Sequence, residues 1–166
     1  MLEPATIADL ASLRQQLGRE PRGIAGIAWR CPCGQPGVVA TKPRLPDGTP
    51  FPTTYYLTCP RLVSACSTLE SQGVMAEMTR RLGQDAALAR RYRQAHEAYV
   101  ADRAALGEVA EIAGISAGGM PTRVKCLHVL VGHALAVGAG VNPLGDEALA
   151  RIAELPPRPC THEENP

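Results

Sequence analysis

Four of the six cysteines in this 166-residue chain lie beside turns or at the expected start of a helix. Cys31 and Cys33 flank a single proline, Cys59 follows an extended segment, and Cys126 lies near the start of an apolar helix expected over residues 122–137. Thiolates from separate loops bind soft metals, and structural zinc usually takes four Cys or His ligands in a tetrahedron. We therefore predict that these thiols form one metal site, with zinc as the first candidate ion. The predicted ligands are Cys31, Cys33, Cys59 and Cys126, with His128 as a substitute.

Spacing and helix geometry limit this prediction. The Cys-x-Cys spacing is one residue shorter than the Cys-x2-Cys knuckle of common zinc modules. Residues two apart on a helix point about 200° away from each other, so Cys126 and His128 share an ion only if the helix begins near residue 127. The alternative is a set of buried, unreactive thiols that act as small apolar side chains. Cys66, on an apolar helical stripe, is expected in the core, and Cys160 is expected to be a free thiol in a tail.

Cys126 also indicates a second kind of chemistry, because Lys125 precedes it and Arg123 is close in sequence. Positive charges and a helix N-terminus lower the pKa of a thiol and make it a nucleophile. His128 or His133 would then act as the general base. Cys126, His128 and His133 are therefore the catalytic candidates, and the sequence leaves open whether the protein is an enzyme.

The glycine-bearing segment before the same helix predicts an anion site. Gly118 and Gly119 lead into helical turns that carry Arg123 and Lys125. Cations there oppose the helix dipole, and a phosphate or carboxylate bound to free backbone N–H groups would relieve this. The first predicted function is a cytoplasmic binding or regulatory module in which the thiol site joins sheet and helix. The alternative function is an enzyme or sensor for a small anionic or phosphorylated ligand at this segment. The simpler interpretation is two solvated basic side chains, since the Walker loop pattern is absent.

Three short extended segments followed by helical periodicity predict an α+β fold. Residues 23–30, 37–41 and 53–58 are joined by short links, which favours an antiparallel three-stranded sheet. Apolar residues then recur at helical spacing, as over 85–106 and 122–137. We expect a small sheet packed with five or six helices in a single domain, residues 1–155, followed by a disordered tail, residues 156–166.

Composition disfavours two classes of partner. The chain has 17 basic and 16 acidic residues, so it lacks the basic excess of a duplex-binding protein and no nucleic acid is expected. No apolar run approaches the ~20 residues that span a bilayer, and the N-terminus lacks the apolar region of a secretory signal. We expect a cytoplasmic protein, in which thiols stay reduced.

Four stretches of the chain together resemble DUF501, a bacterial family of unknown function that is common in actinobacteria. They are residues 17–23 (LGREPRG), 45–60 (LPDGTPFPTTYYLTCP), 116–136 (SAGGMPTRVKCLHVLVGHALA) and 141–149 (VNPLGDEAL). The likeness covers nearly the whole chain except the tail. It implies no established activity. Genes of this family often lie near those for a septum-formation initiator and an exopolyphosphatase, which implies a cell-division adaptor as a third function.

Overall fold

The computed structural model describes residues 2–160, which contain three strands and six α-helices. The strands are β1 (Ile24–Arg30), β2 (Pro36–Thr41) and β3 (Tyr55–Leu57). The helices are α1 (Ile7–Leu17), α2 (Pro60–Ser71), α3 (Val74–Leu82), α4 (Ala86–Leu106), α5 (Leu127–Val137) and α6 (Pro143–Ala153), with one 3₁₀ turn (Ala110–Ile112) between α4 and α5. The expected α+β class, with a three-stranded antiparallel sheet and five or six helices, is confirmed.

The sheet has the order β1–β2–β3, and both neighbouring pairs are antiparallel. β2 is the central strand, and all six of its residues are buried. Side chains alternate between the two faces of a strand. Val39 packs with Leu13 of α1 and Ile27 of β1, whereas Val38 belongs to the larger core shared with α2 to α6. The sheet is therefore covered by α1 on one face and by the other helices on the opposite face.

α5 joins the sheet to the other helices, and glycines allow it to approach both closely. A Cβ at Gly132 would lie 3.0 Å from the Tyr55 carbonyl oxygen in β3. A Cβ at Gly145 of α6 would lie only 2.3 Å from the Leu130 carbonyl oxygen. α5 also contacts α2. These three contacts fix the N-terminus of α5 beside α2.

α5 begins five residues later than the helix expected from residue 122. The backbone before it is bonded within its own loop, because the Arg123 N–H donates to the Gly119 carbonyl at 3.1 Å and the Lys125 N–H to the Gly118 carbonyl at 2.7 Å. The φ angles of 69° at Gly118 and 91° at Gly119 favour glycine at both positions of this turn. Cys126 is consequently the N-cap residue of α5.

Cys59 is the N-cap residue of α2, which follows β3 almost directly and begins with a proline. The apolar stripe of α2, Leu62, Cys66 and Leu69, is buried as its spacing indicates. Two of the predicted metal ligands, Cys59 and Cys126, therefore lie at the first turns of two neighbouring helices.

The C-terminal segment continues beyond α6 to the surface of α2. Arg158 donates hydrogen bonds to the hydroxyls of Ser64 and Thr68, the latter at 2.6 Å. This contact accompanies the return of Cys160 to the turn between β1 and β2. Of the disordered tail expected over residues 156–166, residues 156–160 are placed on the protein and 161–166 lie outside the described residues. Within the described part of the chain, no helix is long and apolar enough to cross a membrane.

Candidate metal centres

The first group of ligand atoms, here called the turn cluster, consists of Cys31, Cys33 and Cys160. Their sulfur atoms all lie within 4.8 Å of one another. The Sγ atoms of Cys31 and Cys160 are 3.7 Å apart, although the two residues are 129 positions apart in sequence. Cys31 is buried, Cys33 is exposed, and Cys160 is half-buried. The cluster therefore lies at the surface with one thiol reaching into the core.

A tight turn after β1 brings two of these thiols together. The Cys31 N–H donates to the Gln35 carbonyl at 2.9 Å, and the Gly34 N–H donates to the Cys31 carbonyl at 2.8 Å. Gly34 has a φ of 89°, which glycine adopts without steric cost. The third thiol, Cys160, comes from the segment that Arg158 holds against α2.

The charges around the turn cluster favour a thiolate at Cys31. Burial alone would raise the pKa of Cys31, but the backbone N–H and thiol of Cys33, the thiol of Cys160 and the Arg61 guanidinium outweigh it and lower the pKa to about 7. Burial, with the neighbouring Cys31 and Cys33, raises the pKa of Cys160 to about 11. Cys31 therefore carries negative charge before Cys160 does, and the positive charge of Arg61 favours its thiolate.

Cys59 lies beside the turn cluster without belonging to it. Its side chain is 1% exposed, and burial raises the pKa of its thiol. Negative charge on Cys31 adds to this shift, which means that the two sulfurs are close enough to interact. Cys59 is thus a further thiol whose charge interacts with that of Cys31.

The second group, here called the pocket cluster, consists of Glu70 near the end of α2 and Cys126 and His128 at the start of α5. Their ligand atoms also lie within 4.8 Å of one another. His128 Nδ1 is 3.0 Å from Glu70 Oε1 and 3.8 Å from Cys126 Sγ. The same carboxylate oxygen accepts the Leu127 N–H at 2.9 Å. Because α5 begins at residue 127, the condition under which Cys126 and His128 can share an ion is met.

The pocket cluster is strongly polarised. The hydrogen bond to Cys126 raises the pKa of His128 to about 9 against the opposing effect of burial, and the negative charge of Glu70 contributes as well. Burial would raise the pKa of Cys126, but the contact with His128 and the nearby amide of Val129 outweigh it and lower the pKa. In the metal-free protein these shifts favour a thiolate paired with an imidazolium.

A pocket of about 460 Å³ adjoins this cluster, and Cys126 and His128 form part of its wall. Tyr55, Tyr56 and Leu57 of β3 form another part of the wall. The pocket therefore lies at the β3 edge of the sheet, bounded also by the end of α1, by α2 and by the start of α5, and a small molecule bound there would contact both the thiol and the imidazole.

The four thiols expected to form one site are divided between two places. Cys31 and Cys33 join Cys160 at the β1–β2 turn, with Cys59 nearby, whereas Cys126 joins His128 and Glu70. The physical reason is that β1 ends at the turn while the N-terminus of α5 is held beside the last turns of α2. The four-thiol site predicted from the sequence is replaced by two three-ligand groups.

The segment predicted to bind an anion lies directly before α5. The amides of Arg123 and Lys125 donate to the carbonyls of Gly119 and Gly118, and the amide of Val124 donates to a threonine hydroxyl of α3. At the helix start itself, the Glu70 carboxylate accepts a backbone N–H. The anion site remains a prediction. An anion there would be bound by the side chains of Arg123 and Lys125, because the backbone amides of these two residues already donate within the loop.

His133, the third catalytic candidate, is fully buried in α5. Its Nδ1 atom lies 3.1 Å from the Asn142 amide nitrogen, and its ring stacks on Tyr55. Burial lowers the pKa of His133 to about 4. Cys66 is also fully buried, and burial raises the pKa of its thiol to about 12. Both residues are part of the packed core.

Two residues of these clusters, Cys160 and Glu70, and one charged neighbour, Arg61, were not predicted from the sequence. Cys160 is a free thiol as expected, but it was given no structural role, and it lies with Cys31 and Cys33. Glu70 follows Cys66 by four residues, so it lies on the same helical face and points toward the same neighbour, which was the available signal. Arg61 carries no motif and is recognisable only from its contacts with Cys31 and Cys160.

The fold and the two clusters define an α+β protein with two thiol-containing candidate metal centres, one at the β1–β2 turn and one between α2 and the start of α5. The family model described as "Protein of unknown function (DUF501)" matches residues 27–150. The chain belongs to this family, which confirms the resemblance. The matched range includes Cys31, Glu70 and Cys126 and ends before Cys160. Comparisons with curated proteins and with solved structures give no match.

Proposed function

We propose that the protein is a cytoplasmic metal-binding module in which the turn cluster holds one zinc ion, or a metal of similar softness. The observation that carries this proposal is the 3.7 Å separation between the Sγ atoms of Cys31 and Cys160. Two thiolates of a tetrahedral zinc site with Zn–S bonds of about 2.3 Å lie about 3.8 Å apart. The spacing in the protein therefore fits zinc with little movement.

The charge of the surroundings also supports binding of a thiolate-ligated cation. Three thiolates and one Zn²⁺ carry a net charge of −1, and the positive charge of Arg61, which interacts with Cys31 and Cys160, offsets it. Cys59 or a water molecule would occupy the fourth position, since structural zinc sites are four-coordinate. The partly lowered pKa of Cys31 reduces the cost of deprotonation before the metal binds.

The role that follows is structural and regulatory. A metal held by Cys160 would join the C-terminal segment to the turn after β1, across 129 positions of sequence. Metal occupancy would then decide whether this segment stays on the surface formed by α2 and the turn. We propose that this surface, ordered by the metal, is the part of the module that binds a partner.

Metal analysis of the full chain tests this proposal. Untagged protein purified under reducing conditions is loaded with zinc, freed of excess metal, and analysed by mass spectrometry for zinc per chain. Cys160→Ser is expected to lose one equivalent relative to wild type, and Cys33→Ser likewise. Cys66→Ala, which removes a buried thiol outside both clusters, is the matched control and retains the wild-type content.

Stability supplies an independent measurement. A ligand at 100 times its dissociation constant stabilises the folded state by about 2.7 kcal/mol. For a chain of this length that corresponds to a rise in melting temperature of about 5–10 °C. The proposal fails if Cys160→Ser binds as much zinc as wild type, or if zinc stabilises both proteins equally. It also fails if mass spectrometry of protein purified without reductant finds Cys31 and Cys160 joined in a disulfide and no zinc bound.

A further inference from the structure

The pocket cluster has the geometry of a second metal site that is independent of the turn cluster. With bond lengths of about 2.3 Å to sulfur and about 2.1 Å to nitrogen and oxygen, tetrahedral zinc holds its S and N ligands about 3.6 Å apart and its N and O ligands about 3.4 Å apart. In the protein, Cys126 Sγ to His128 Nδ1 is 3.8 Å, and His128 Nδ1 to Glu70 Oε1 is 3.0 Å. Each distance lies within about 0.4 Å of the value for a shared zinc ion.

The hydrogen bond at the second ring nitrogen of His128, Nε2, is compatible with metal binding at Nδ1. Its other ring nitrogen, Nε2, lies 3.4 Å from the Ser67 hydroxyl oxygen. That hydroxyl donates its own proton to the Val63 carbonyl at 3.1 Å, so its oxygen is left to accept an N–H from Nε2. Metal-ligating histidines usually donate their second ring N–H in this way, which fixes the tautomer and orients the ring. In the metal-free protein Nδ1 carries the proton shared with Glu70 and Cys126, and a metal ion that displaces this proton would meet the Nδ1 lone pair at the same place.

Three electron-pair donors thus converge on one point. In the metal-free protein the proton on His128 Nδ1 lies between the imidazole and the Glu70 carboxylate, and binding of a metal ion would release that proton. Glu70 is fixed there by the N–H it accepts from Leu127, and Cys126 is fixed as the N-cap residue of α5. The donors are therefore positioned by the backbone before any ion arrives.

We propose that Glu70, Cys126 and His128 bind a zinc-class divalent cation whose fourth coordination position opens into the 460 Å³ pocket. Three protein ligands and one open position are the arrangement of catalytic zinc, whereas a four-thiolate site is closed. Two of the three ligands line the pocket, so a water molecule or a donor atom of a bound molecule would complete the tetrahedron. The site would accept a small molecule with one metal-binding oxygen or nitrogen and an apolar part facing Tyr55, Tyr56 and Leu57.

The test uses the full chain with the turn cluster disabled, so that its outcome does not depend on the first proposal. Cys33→Ser/Cys160→Ser protein is titrated with Co²⁺, a spectroscopic substitute for zinc. We expect one equivalent to bind, with visible absorption of a tetrahedral ion and a sulfur-to-cobalt charge-transfer band from one thiolate. The proposal is overturned if circular dichroism shows that this variant is folded and it nevertheless binds no Co²⁺. That conclusion holds even if the wild type binds one equivalent.

Single changes in the same background identify the ligands. Glu70→Gln keeps an oxygen that can accept the Leu127 N–H, and it should weaken Co²⁺ binding without unfolding α5. Cys126→Ser should abolish the charge-transfer band. Ser67→Ala removes only the partner of His128 Nε2, and it should weaken binding about 10- to 100-fold. Co²⁺ affinity and spectrum unchanged in both Glu70→Gln and Cys126→Ser would contradict the assignment.

Discussion

The buried imidazole of His133 predicts a specific pH dependence of stability. The residue has no exposed surface, its ring stacks on Tyr55 at 5.8 Å, and it meets the edge of Tyr99 at 5.0 Å. The Asn142 amide nitrogen lies 3.1 Å from Nδ1 and is a donor, so Nδ1 accepts and the neutral ring carries its proton on Nε2. Burial lowers the pKa of His133 from 6.5 to about 4, and the charges of Asp102 and Asp146 offset this only in part.

The sign and size of the effect follow from these values. Between pH 6.5 and pH 4 the unfolded chain binds a proton at His133 and the folded chain does not, so folding becomes less favourable as the pH falls. A difference of about 2.5 pH units between the two pKa values corresponds to about 3 kcal/mol of unfolding free energy. That is a large part of the 5–15 kcal/mol by which a domain is typically stable.

Urea unfolding at several pH values between 4 and 7 measures this contribution. His133→Gln removes the titrating group and lowers stability overall. Between pH 7 and pH 4 its unfolding free energy should fall by about 3 kcal/mol less than that of the wild type. His128→Gln is the matched control, because the pKa of His128 is raised to about 9 and its folded-state contribution is lost only as the pH rises from 6.5 through that value. An unchanged pH dependence in His133→Gln would refute the reasoning.

Two further predictions concern the contacts that hold α5 and α4 in place. Gly145→Ala should destabilise the protein by about 1–3 kcal/mol, because the new Cβ would lie 2.3 Å from the Leu130 carbonyl oxygen. The control is Gly83→Ala, which should stabilise the protein by about 0.4–1 kcal/mol, because Gly83 has a φ of −80° and the nearest atom to its new Cβ is 3.5 Å away. Thermal unfolding of both variants measures the two effects, and equal effects would contradict the prediction. Tyr99→Phe should lower the free energy of unfolding, measured in urea, by about 1–3 kcal/mol. The reason is that the buried Thr54 N–H, which donates to the Tyr99 hydroxyl at 2.8 Å, loses its acceptor. An unchanged free energy of unfolding would contradict that contact.

Much of the fold could be predicted from the sequence because its signals are local. Short extended segments separated by turns, and the apolar stripe of α2, depend on neighbours a few residues apart. The predicted start of α5 was five residues too early, because hydrogen bonds inside the loop, such as that from the Lys125 N–H to the Gly118 carbonyl, replace the helical ones. The spacing of apolar residues does not indicate which carbonyl oxygen accepts the hydrogen bond from a given backbone N–H.

The candidate site was harder to predict because its partners are distant in sequence. Cys31 and Cys160 meet only after the whole chain has folded, and the segment that carries Cys160 has no helical or strand period. Glu70 has the appearance of an ordinary acid on a helix surface until α5 is packed beside it. Residue type identified the thiols, but tertiary contacts determined which of them share a site. The expected septum-formation role rests on gene neighbourhood, and no residue of either cluster bears on it.

The most direct test of the account is the position of zinc in crystals of the metal-loaded protein, found from anomalous scattering at the zinc edge. The account predicts a peak about 2.3 Å from the sulfur atoms of Cys31, Cys33 and Cys160. Crystals that contain bound zinc but show no peak at the turn after β1 would contradict it.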